Sequence, residues 1–172
     1  MDLGFDVVDL PDADHVAEGD EAPEFTRPLV NDEYWEDVAL SDLLGDGPVL
    51  LVFTTMDGAF PATYVWNELR DRSVEEYGVQ VAGVSISSPY EHKTTVADRD
   101  IGHFAGLFSD PQNGVAEAYG VSHDVDGMAG VSEPRPAVFL VGADRTVEYA
   151  WVASEWPEFP DYDEVEAALA DL

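Results

Sequence analysis

Residues Pro48-Val49-Leu50-Leu51-Val52-Phe53-Thr54 form an unbroken apolar run behind Gly47. A strand with one wet face alternates apolar and polar residues. A run without alternation suits a strand covered on both faces, which demands a layer above and a layer below the sheet. Val79-Gln80-Val81-Ala82-Gly83-Val84-Ser85-Ile86 reads the same way. Ala137-Val138-Phe139-Leu140-Val141 is followed by Gly142-Ala143-Asp144-Arg145 and then Thr146-Val147-Glu148-Tyr149-Ala150-Trp151-Val152, a β-hairpin by its short separation. Helical spacing fills the gaps. Between Ala62 and Glu76, residues Val65, Trp66, Leu69 and Val74 fall near one stripe. A more polar helix is expected over 90–100 after Ser88-Pro89. Asp110-Pro111 is expected to open a third that runs through Val115–Tyr119 and stops at Gly120. Asp161 is expected to cap a last one from Tyr162 to Leu172. This order predicts a single α/β domain, a mixed sheet flanked by helices, over residues 18–172. Residues 1–17 read as an acidic arm, irregular or with a short edge strand.

Charge and sulfur bound the chemistry. Seven basic residues face 37 acidic ones, a formal net charge of −30, and Lys93 is the single lysine. Such a field repels nucleic acid and anionic membranes, so neither is expected as a partner. Acid spread along the whole chain, with almost no lysine, suits a salty cytoplasm, where the Debye length falls to about 3 Å near 1 M. An acidic interaction surface is the alternative. No apolar run reaches membrane-span length, and Met1–Asp6 lacks a basic region and a signal-peptide core, so the chain is expected to be cytoplasmic. The sequence has no cysteine, which removes disulfides, thiolate metal sites and thiol catalysis.

Several local words in this order carry a resemblance. They are Glu18-Gly19-Asp20-Glu21-Ala22-Pro23-Glu24-Phe25, Leu40-Ser41-Asp42-Leu43, Val81-Ala82-Gly83-Val84-Ser85 with Ser87-Ser88-Pro89, and Leu107-Phe108-Ser109-Asp110-Pro111 with Val115-Ala116-Glu117-Ala118-Tyr119-Gly120-Val121. Together, across roughly residues 18–170, the chain resembles the peroxiredoxins, the alkyl hydroperoxide reductase/thiol-specific antioxidant (redoxin) family. It looks like a cysteine-less member of haloarchaeal type. The resemblance implies a thioredoxin-like fold and an antioxidant oxidoreductase ancestry.

The resemblance also implies where the chemistry has gone. Aligning Glu68-Leu69-Arg70-Asp71 on the family helix puts the peroxidatic cysteine position at Ala62, the hydroxyl position at Ala59 and the proline position at Thr55. The family arginine would be Arg135 or, by distance from Phe139, Pro136, which also looks like the cis-proline position of thioredoxin-type redoxins. Alanine offers no lone pair, so no catalytic residue is expected and the enzyme assignment stays open. A helix start near Thr63 with free amides, facing Arg135 and Pro136, is a candidate pocket for a small anion, a carboxylate or a partner's side chain. A pocket closed by Phe60, Tyr64 and Trp66 is the alternative. No metal or cofactor is expected. A homodimer, or pairing with an active peroxiredoxin paralogue, is the implied partnership. The leading function is a binding or regulatory role without catalysis. The second is an oxidoreductase acting with a partner's thiol or by a non-thiol route.

Other clusters read as surface. Asp12-Ala13-Asp14-His15 with Glu18 and Asp20 is expected to be a solvated acidic arm, and His123-Asp124-Val125-Asp126-Gly127 an acidic turn. Glu91-His92 and His103 are expected near helix ends, in surface or cap roles.

Overall fold

The computed structural model describes residues 6–125 and 127–172. Asp126, part of the expected acidic turn, and residues 1–5 of the expected arm lie outside the described residues. Along the chain come β1 (Val8–Asp9), β2 (Thr26–Val30), β3 (Trp35–Ala39), α1 (Leu40–Leu44), β4 (Val49–Phe53), α2 (Phe60–Asp71), β5 (Gln80–Ser85) and α3 (Pro89–Asp98). Then follow β6 (Gly106–Ser109), α4 (Gly114–Tyr119), β7 (Ser122–His123), β8 (Glu133–Pro134), β9 (Ala137–Val141), β10 (Val147–Val152), β11 (Glu155–Trp156) and α5 (Tyr162–Ala170).

The main sheet runs β10-β9-β4-β5-β6-β2-β3. Its parallel centre is β4-β5-β6; β9 joins β4 and β2 joins β6 antiparallel. Every residue of β4 is buried, as its unbroken apolar run requires. Alternation then divides the strand between two cores. Leu51 and Phe53 point into one with Phe25, Phe108, Tyr119 and Phe139, covered by α1 and α4. Leu50 and Val52 point into the other with Trp66, Leu69, Leu107 and Leu140, covered by α2, α3 and α5. Full burial of each such side chain contributes about 1.5–3 kcal/mol. Gly83 on β5 makes room for Trp66: a Cβ there would stand 2.6 Å from the indole.

Local detail departs from the sequence expectations in places. The helix expected through Glu76 stops at Asp71, because Ser73 takes a left-handed φ of 52°. A short 3-10 turn, Val74–Tyr77, keeps Val74 in the core. The third helix begins at Gly114, not at Asp110. The Asp110 carboxylate instead accepts from Val115 N at 2.8 Å and pairs with Arg27. The hairpin β2–β3 and the strand β6 carry no clear period-2 signal and emerge only as partners of the central strands.

The arm is docked. β1 pairs with β11, Leu10 N donates to Ser154 O at 2.9 Å, and Val16 N donates to Tyr119 O at 3.1 Å. Gly120, at φ 74°, admits that approach, since a Cβ there would collide with the main chain of Asp14 and His15.

Candidate functional site

Ala62 lies in the first turn of α2, directly after β4, and is 2% exposed. Ala59 is the N-cap residue, with φ −66° and ψ 140°, and supplies no side-chain acceptor to the first-turn amides. Thr55, in the loop between, is fully buried and its Oγ1 has no hydrogen-bond partner. The three positions implied by the resemblance are thus gathered at one helix start, and none carries a thiol.

Buried groups fasten the loop from β4 to α2. Met56 N donates to Glu133 Oε2 at 3.0 Å, and Asp57 N donates to Ser87 Oγ at 2.9 Å. The Asp57 side chain reaches α3: its Oδ2 accepts from Thr95 Oγ1 at 2.8 Å and lies 2.7 Å from His92 Nδ1. His92 Nε2 donates to Phe108 O at 3.0 Å. The imidazole therefore stands between two acceptors. Either both its nitrogens carry hydrogen, or the carboxyl of Asp57 does.

This clasp was not expected. His92 is 1% exposed, not a surface group. The signal that could have placed it is its spacing of four from Val96, which puts both on the inner face of α3. Glu91 does cap, accepting from Ser88 N at 3.0 Å, and His103 sits half-exposed 3.4 Å from Glu75.

The expected anion pocket is not assembled as a unit. Thr63 lines an open cleft of about 480 Å³ between α2 and α3, with Asp57, Ala62, Trp66, Glu91 and Thr95. Pro136 lies on another side of Ala62, in a space of only about 10 Å³ shared with Thr55 and the carboxylate-bearing Glu158. Arg135 faces neither. Its Nη1 donates to Pro11 O at 2.9 Å and Ala153 O at 3.2 Å, on the side of the arm. Neighbours in extended chain project to opposite faces, so Pro136 beside Ala62 requires Arg135 to turn away. Burial pulls the Arg135 guanidinium below its ordinary pKa, and Asp12 acts in the other direction. The Arg135–Pro136 peptide is not cis; the cis bond among the described residues is Trp156–Pro157. Phe60 and Tyr64 meet edge-to-face at 6.1 Å, but Tyr64 remains half exposed, so they do not seal the cleft.

Comparison with known proteins agrees with this geometry. Residues 18–150 match the model of the AhpC/TSA family. The chain is 29% identical over 157 residues to a thiol peroxidase of Staphylococcus aureus (strain COL), covering 91% of this chain and 90% of that one. It is 30% identical over 141 residues to the chloroplastic 2-Cys peroxiredoxin BAS1 of Arabidopsis thaliana, covering 78% and 51%. The crystal structure of peroxidoxin BcpB from Mycobacterium tuberculosis superposes with a TM-score of 0.75 at 27% identity, over 92% of this chain and 99% of that one. Enterococcus faecalis AhpC, at 19% identity and a TM-score of 0.75 over 90% and 91%, shares the fold. With its thioredoxin-like sheet, its helix start at Ala62 and a family match over most of its length, the chain belongs to the AhpC/TSA family.

Proposed function

We propose that this protein is a peroxiredoxin-like scaffold without thiol peroxidase chemistry, keeping a binding or regulatory role in antioxidant physiology. Its setting is the cytoplasm, as a homodimer or beside an active peroxiredoxin paralogue. The observation that carries this reading is the buried methyl of Ala62 at the first turn of α2. Peroxide reduction by this route needs a thiolate lone pair to attack the O–O bond, and a helix N-terminus with a nearby cation to favour that thiolate. Here the helix start persists, the sulfur is gone, and Arg135 is spent on main-chain carbonyls elsewhere.

A second reading is an oxidoreductase that borrows a partner's thiol. The open cleft of about 480 Å³ beside Ala62 and Thr63 favours it, since it leaves the helix start approachable. Hydrogen peroxide consumption with a dithiol reductant at high salt tests both. The unmodified chain is expected to show no turnover above the blank, and an Ala62→Cys, Ala59→Thr variant slow turnover. Turnover by the unmodified chain alone would overturn the first reading. Turnover that appears only when a cysteine-bearing partner is added, faster than the partner alone, would favour the second.

A further inference from the structure

Most arginines of this acidic chain have found a carboxylate. Arg27 meets Asp110, Arg70 meets Asp71, Arg72 meets Glu68, Asp163 and Glu166, and Arg145 meets Glu21. All four are partly exposed. Arg135 reverses both trends. It is 4% exposed, and among the described residues no carboxylate stands within ion-pairing distance of it. Carbonyls of Pro11 and Ala153 take hydrogen bonds from Nη1, and Nε has no partner. Carbonyl dipoles orient a guanidinium but do not cancel its charge. Removing a charge from water without a counterion is costly, and arginine does not escape by losing its proton.

A built space lies beside this cation. It is an open cleft of about 220 Å³ lined by Arg135, His15, Asp12 and Ser154, with aliphatic walls from Leu10 and Val152. The arm forms one side and the turn after β10 the other. They are tied by Leu10 N donating to Ser154 O, with Ala153 N donating to Pro136 O behind them, both at 2.9 Å. We propose that this cleft is a site for a small monovalent anion, a halide or a carboxylate, held by the Arg135 guanidinium. Asp12, exposed and beyond 4.0 Å, competes with that anion for the same positive charge. The site is independent of the α2 helix start and of whether any peroxidase chemistry survives.

The test uses the full chain at a fixed ionic strength near 1 M, where the net negative field is screened. Chloride is the first probe, read by the excess ³⁵Cl NMR line width, and acetate the competitor. Crystals soaked in bromide report the position by anomalous scattering. The expected result is saturable broadening and a bromide peak beside Arg135; displacement by acetate identifies the site as one for carboxylates as well as halides. Arg135→Met should abolish the broadening with the circular dichroism spectrum kept. If that variant does not fold, Asp12→Asn carries the test, because removing the competing carboxylate should raise chloride affinity severalfold. No bromide peak together with no Asp12-dependent change in broadening overturns the site.

Discussion

At Ala59 the backbone is ready for a cap that the side chain does not supply. Its extended φ and ψ are those of an N-cap residue, yet a methyl accepts no hydrogen bond from the amides of the first turn. Ala59→Thr, which restores a hydroxyl, is expected to raise stability by about 1 kcal/mol. The shift of the denaturation midpoint at constant salt measures it; an unchanged midpoint would mean the hydroxyl does not reach the amides. Only the family resemblance pointed to Ala59, Ala62 and Thr55, because their meaning there lies in which atoms are missing. Arg135 and Pro136 were ambiguous at that level, since one residue of offset in extended chain decides which face a side chain takes.

Among the elements, the coupling of the α2-leading loop to α3 matters most. Asp57 and His92 have side chains 6% and 2% exposed, so their contact is shielded from solvent. His92→Ala would leave the buried Asp57 carboxyl with Thr95 Oγ1 as its side-chain partner and would strip Phe108 O of its side-chain donor. Stranding such buried polar groups is expected to cost about 1–3 kcal/mol. Urea unfolding checks the magnitude, and hydrogen exchange checks the place: protection should fall first in residues 54–63. An Asp57→Ala, His92→Ala pair should lose less than the sum of the single changes, because each single variant strands the other group. A fully additive pair would show that the two do not act as a unit.

For the whole molecule, the net charge of −30 sets the response to salt. Mutual repulsion opposes compaction, and screening relieves it. The melting temperature is expected to rise between 0.1 and 1 M KCl; a flat or falling trend would show that local pairs such as Arg72 with Glu68, Asp163 and Glu166 already offset the repulsion. Among the described residues no helix is long and apolar enough to cross a membrane.

The sequence by itself determined two things: which strands are buried on both faces, because burial is written into unbroken apolar runs such as Val49–Phe53, and that the chain has no thiol of its own, because the absence of cysteine needs no coordinates. Short strands such as β2, β3 and β6 were not legible, since the sheet that supplies their hydrogen-bond partners is assembled from distant chain. Tertiary structure alone decided the rest. Asp57 and His92 are 35 residues apart, and Arg135 and Pro11 are 124 apart. Over such separations no local period reports a contact; packing of the arm, the loop and α3 against one sheet fixes which polar groups are shut away from water and what they meet there.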